Sequence, residues 1–155
     1  MRGRVFAVLV ATCVSTSVHG QSGVEITLKQ DSKGEAQTRE QLQRLLTRYD
    51  RSPWIFTTKI SIDETAIPHS HPILTLSVRH VLDDELLLST FVHEQFHWFL
   101  VQREQGTEDA IEELRTIFPT VPARAPQGAI DEHSTNLHLL VCALSMERID
   151  GCSAN

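Results

Sequence analysis

The fold class this sequence predicts is α+β, with about four helices packed around a small two- to three-stranded sheet, and three observations carry that expectation. Residues 84–104 contain neither Pro nor Gly and present a wide apolar surface, which marks a central helix. Two runs, 54–63 and 74–79, alternate apolar and polar residues with the period of a half-buried strand. Further stripes at helical spacing fall at 35–49, 107–118 and 135–149.

The chain begins Met1-Arg2-Gly3-Arg4, continues with an apolar run from Val5 to Val14, and reaches Val18-His19-Gly20 before Gln21. That is the pattern of a secretory signal peptide over residues 1–20. The apolar run is too short to span a bilayer, and no other stretch approaches the ~20 apolar residues a span requires, so no integral membrane segment is expected. Thr12 before Cys13 is atypical of a lipoprotein box, so lipid anchoring is not expected either. The mature chain is expected to be secreted or periplasmic, with residues 21–155 forming a single domain.

Removing residues 1–20 takes away Arg2 and Arg4 and no acid, so the formal net charge goes from −6 to −8. Nucleic-acid partners normally meet a basic stripe, and this chain has none. No glycine-rich phosphate loop is present. Cys142 and Cys152 remain of the three cysteines. If a helix runs through Ile149, their ten-residue separation is ~15 Å, against the ~6 Å a disulfide spans, so free or only partly paired thiols are expected.

In chain order, Val24, Ile26 and Leu28 alternate within an otherwise polar segment, which suits a short strand or an extended arm. Leu42, Leu45, Leu46 and Tyr49 then mark an amphipathic helix that covers the core. Pro53 ends it. Trp54, Phe56, Thr58, Ile60 and Ile62 share one face of the first long strand, and Leu74, Leu76 and Val78 one face of the second, so the two are expected to pair. The joining loop, Pro68-His69-Ser70-His71-Pro72, holds a His-x-His pair without a nearby carboxylate or thiolate, and a solvated turn is expected, with His69, His71 and His80 placed to rim a cleft. The central helix should start from Asp83 or Asp84 and stop at Gly106. Thr107 is expected to cap the next helix and Pro119 to end it. Pro119, Pro122 and Pro126 make the following segment a surface crossing, and Ser134 is expected to cap the last helix.

The central helix carries His93-Glu94-Gln95-Phe96-His97, an H-E-x-x-H pattern. Residues four apart stack on one helix face, so His93 and His97 can direct two imidazole nitrogens at one metal ion. Glu94 then sits beside the metal without ligating it, where a general base is needed. Two histidines on an apolar face also serve, in other proteins, as neutral core residues bonded to carbonyls.

These five residues resemble the zinc-binding helix of the zincin metallopeptidases, and the resemblance covers that helix and, more loosely, the last one. The metzincin extension is absent, because Leu100 stands where a Gly belongs and Arg103 where a third His belongs. A gluzincin-like or minimal zincin branch is therefore implied, with Zn2+ as cofactor and a third ligand on a later helix. The resemblance also implies an edge strand above the metal along which an extended peptide adds its backbone hydrogen bonds.

A catalytic zinc needs three protein ligands and one open position. Downstream donors cluster at Asp131, Glu132, His133 and His138. His138 is the first choice, because it lies on a helix and is flanked by core positions. Glu132 is the alternative, and His133 and Asp131 follow. The expected activity is that of a secreted zinc-dependent hydrolase, a metallopeptidase acting on a peptide or protein substrate through a zinc-bound water from which Glu94 takes a proton. The alternative is a non-catalytic secreted zinc-binding module, structural or interaction-mediating.

Overall fold

The computed structural model describes residues 23–49, 52–124, 126 and 128–150. The expected signal peptide and Cys152, with its possible pairing to Cys142, lie outside the described residues. The architecture is α+β, with four helices and one three-stranded sheet. The strands are β1 (Glu25–Leu28), β2 (Lys59–Ile62) and β3 (Leu74–Leu76), in the order β1-β2-β3. The helices are α1 (Lys33–Arg48), α2 (Asp84–Val101), α3 (Glu104–Ile117) and α4 (Glu132–Asp150).

Both strand pairs are parallel, with Ile26 opposite Ile60 and Ile60 opposite Leu74. A parallel partner needs a crossover, and α1 supplies it between β1 and β2. The start of α1 is fixed by Ser32, whose hydroxyl accepts from Glu35 N at 3.2 Å. Glu35, fully buried, accepts from Gln30 N at 2.8 Å and from Glu64 N at 3.1 Å. One carboxylate thus ties the loops after β1 and β2 to the helix between them.

The strands are shorter than the alternation implies. Residues 52–54 form a 3-10 turn, and β2 begins only at Lys59. Gln95 accounts for the intervening stretch: its Oε1 accepts from Phe56 N at 2.8 Å and Thr57 N at 2.9 Å, and its Nε2 donates to Thr57 O at 2.9 Å. The backbone there bonds to a side chain of α2 instead of a strand. Beyond β3, residues 78–80 coil into a second 3-10 turn.

The core is built from Leu42, Leu45 and Leu46 of α1, Ile60, Leu74 and Leu76 of the sheet, and Leu87, Phe91, Val92, Phe96 and Leu100 of α2. Val141 joins it from α4. Helix α2 is thereby buried against sheet and α1 on one side and against α3 and α4 on the other. Truncating its fully buried Phe91 would remove about 3–5 kcal/mol.

Three expected boundaries are corrected. Helix α2 starts at the Asp83 cap, which accepts from Leu86 N, but stops at Val101 and not at Gly106. Helix α3 already runs at Gly106, and Thr107 does not cap it; the Thr107 hydroxyl donates to Leu100 O at 2.8 Å, satisfying a terminal carbonyl of α2. At α4, Asp131 and not Ser134 is the cap, since Asp131 Oδ1 accepts from Ser134 N at 2.7 Å. The helix therefore starts three residues ahead of the serine, whose own N–H is the one that is capped. The 119–131 crossing is fastened to α4 by Thr135, whose hydroxyl donates to Pro122 O at 2.7 Å and accepts from Ala129 N at 2.9 Å. Gly128 lies so close to the Pro122 carbonyl that any Cβ would collide with it.

Candidate metal centre

His93 and His97 lie on successive turns of α2, on the side that meets α4, and the ring of His138 comes to them from α4. Ring centroids are 5.2 Å apart for His93 and His97, 5.0 Å for His93 and His138, and 6.0 Å for His97 and His138. Each residue offers one donor atom such that all three atoms lie within 4.8 Å of one another. Ligands at the ~2.05 Å of a tetrahedral zinc–imidazole site stand about 3.3 Å apart, so modest side-chain closure brings all three nitrogens onto one ion. The donor set suits a borderline cation such as Zn2+, and the residues present fit it.

Electrostatics favour that use. Burial lowers the pKa of His93 to about 4, and burial with the neighbouring imidazoles lowers His97 to about 4, so both stay neutral and keep a lone pair at neutral pH. Among the described residues, no protein hydrogen bond occupies these ring nitrogens. His138 is exposed while His93 and His97 are half-buried, which leaves the group within reach of solvent.

Glu94 is 7% exposed. Burial raises its carboxyl to about 7, a shift opposed by His69. A cation held by the histidines would pull it back down. Glu94 and His93 share a cleft of about 320 Å³ whose rim is formed by Ile67, Pro68 and His80.

Pro68 opens the proline-flanked loop, which is tied to α2 although His69, His71 and Pro72 are exposed. Trp98 Nε1 donates to Ser70 O at 2.8 Å, and the His71 ring stacks on Trp98 at 4.3 Å. His69 also forms an antiparallel bridge to Thr75, with His69 N to Thr75 O at 3.1 Å and Thr75 N to His69 O at 2.8 Å. The outer edge of β3 is therefore occupied at this point, and the outermost backbone on this side belongs to His69. The sequence carried one signal for this docking, the indole of Trp98 on the loop-facing side of the motif helix.

The remaining donors are placed elsewhere. Glu132 is exposed on the first turn of α4 and does not join the three histidines. Asp131 caps α4. His133 Nε2 lies 3.6 Å from Glu108 Oε1 of α3. Cys142 is half-buried and, among the described residues, pairs with no other cysteine; burial raises its pKa. Among the described residues, no helix is long and apolar enough to cross a membrane. Set beside known proteins, the chain matches no family model, no curated protein and no solved structure.

Proposed function

We propose that this chain is a zinc-dependent hydrolase of the zincin kind that cleaves peptide bonds. The observation that carries the reading is the convergence of His93, His97 and His138 from two helices, with the buried Glu94 carboxyl next to the first of them. Zinc, when bound, supplies Lewis acidity and lowers the pKa of a water it holds to about 7. The three imidazoles hold the ion, and burial keeps two of them neutral without help from an added base. Glu94 takes a proton at its carboxylate oxygen and returns it to the departing amine. The cleft along Glu94 gives an extended peptide a place to lie.

A closed structural zinc site would need a fourth protein ligand. Among the described residues, no further His, Cys, Asp or Glu joins the three histidines, which favours the catalytic reading over a purely structural module.

The test is Glu94→Gln, made in a protein first shown to contain zinc and to cleave some member of a peptide pool. Zinc content by elemental analysis should stay at the wild-type level, and turnover should fall by about two to four orders of magnitude. Full turnover in the variant removes Glu94 as base, and a zinc-loaded wild type that cleaves nothing across broad libraries returns the reading to a zinc-binding module.

A further inference from the structure

The cleft beside Glu94 also contains a cation that the hydrolytic chemistry does not use. Arg79 follows β3 on the 3-10 turn at 78–80 and lines the same cleft as His93 and Glu94, together with His80 and the hydroxyl-bearing Ser89 and Thr90. Its Nε donates to the Ser77 hydroxyl at 3.0 Å, and Ser77 is itself 5% exposed. A buried hydroxyl therefore fixes the inner nitrogen of the guanidinium and leaves its two outer nitrogens for another acceptor. Among the described residues, Arg79 has no carboxylate in ion-pair contact, whereas Arg44 is held by Asp84 at 2.7 Å and Arg115 faces Glu112 at 3.6 Å. Arg79 thus brings a cation without an ion-pair partner among the described residues into the cleft that His93 and Glu94 line.

We infer that Arg79 marks a subsite for a carboxylate of the bound peptide, so that the substrate class is acidic at one position near the scissile bond. The inference rests on the peptide-hydrolase reading for its substrate and on the cleft geometry for its chemistry. A guanidinium presents paired N–H groups that match a carboxylate. The hydroxyls of Ser89 and Thr90 and the His80 ring add neutral polar groups to the same wall. The carboxylate has two sources, an Asp or Glu side chain or the peptide's own C-terminus. Because the protein as a whole repels acidic chains, the selection is local and concerns binding at this position rather than attraction at long range.

The experiment measures peptide binding separately from cleavage. Fluorescent peptides are made in matched pairs, Glu against Gln at each scanned position and free against amidated C-terminus, and titrated by anisotropy into the full chain carrying Glu94→Gln, zinc-loaded and chelated. The carboxylate member of one pair should bind about tenfold more tightly than its amide. Arg79→Met should erase that ratio and leave the amide's affinity unchanged, and Arg79→Lys should restore part of it. The pair that discriminates names the source: a side chain if Glu against Gln, the terminus if free against amidated. Equal binding of every pair, no binding of any, or a ratio that survives Arg79→Met overturns the subsite. Arg79 is exposed, so circular dichroism of the variants should match the parent. Cleavage by the protein with native Glu94 is scored apart from this. A carboxylate preference without hydrolysis upholds the subsite and counts against the hydrolase, and hydrolysis without a preference does the reverse.

Discussion

Two groups of three histidines border the same helix, and the fold treats them in opposite ways. His69, His71 and His80 sit on the loop and turn that rim the cleft, while His93, His97 and His138 sit on α2 and α4. In the first group two rings have protein partners: His69 Nδ1 bonds Ile67 O at 2.8 Å, His71 Nδ1 bonds Ser70 Oγ at 2.9 Å, and His71 rests on Trp98. In the second group the rings meet one another, and their nitrogens are left to a ligand. What marks the second group as candidate metal donors is its place on two helices, with ring nitrogens that no described protein group occupies. Residue type alone does not distinguish the two sets.

The largest effect should separate them directly. Alanine at His93, His97 or His138 removes one of three donors, and zinc retained after dialysis should fall below a tenth of a molar equivalent. Alanine at His69 or His71 should leave about one equivalent. Elemental analysis of the five variants reads the contrast, and zinc lost equally from both sets would erase it.

Next in size is the support beneath the helical group. Gln95 occupies a variable position of the motif, yet it makes three hydrogen bonds to Phe56 and Thr57 and is fully buried. Gln95→Ala leaves two backbone N–H groups without their acceptor and should destabilise the fold by about 2–3 kcal/mol. The Ser70 hydroxyl meets only the exposed His71 ring, so Ser70→Ala should change stability by less than about 0.5 kcal/mol. Urea titration of both variants checks the asymmetry, and a Gln95→Ala protein as stable as wild type would show that water replaces the amide.

These supports divide what was legible in the sequence from what was not. Periodicity of 3.6 exposed α2, its buried face and the i, i+4 pair of histidines, because those relations are local. His138 was reachable for the same reason, as a histidine at the edge of an apolar stripe. The parallel register of β2 and β3 was not legible, since it depends on which strands meet across an eleven-residue connection. Gln95 was hidden as well. A polar side chain in a motif helix has no sequence mark that tells it to replace a strand partner for residues 56 and 57. The stop at Val101 escaped because a glycine at 106 is a strong local signal, and the Thr107 hydroxyl bonding Leu100 O is a tertiary one. Arg79 was legible only as one more charged residue at the end of a strand.

Acid should sharpen the comparison in the chelated protein. His93 and His97 have folded pKa values near 4 against an ordinary 6.5, so the unfolded chain takes up their protons first and stability falls as pH drops from 6.5 to 4. Glu94 acts in the opposite sense. Its folded value near 7 lies above an ordinary 4.5, so between these the folded chain holds the extra proton and is favoured as pH falls. Between pH 4.5 and 6.5 the balance is a net uptake of about one proton on unfolding. Chelated Glu94→Gln should therefore lose stability more steeply with acid than wild type, and His93→Ala less steeply. Parallel slopes for all three proteins, from urea midpoints across this window, would mean that the helical histidines are not held neutral by burial.

The smallest effect concerns how α4 is started, and so how well His138 is placed. Asp131 Oδ1 accepts from Ser134 N, and Asp131 O accepts from Thr135 N at 3.0 Å, so the helix begins one turn ahead of the expected serine. The carboxylate also meets the positive end of the helix dipole, and its pKa is lowered chiefly by the hydrogen bonds from Ser134. Asp131→Ala should therefore lower the urea midpoint more than Ser134→Ala, because the serine hydroxyl is a second donor to the cap and not the cap itself. The same ranking should appear in zinc affinity, measured by competition with a chromophoric chelator, since fraying of the first turn loosens the element that carries His138 seven residues on. A larger loss for Ser134→Ala than for Asp131→Ala would move the helix start back to the serine, and with it the first turn from which the third histidine is delivered.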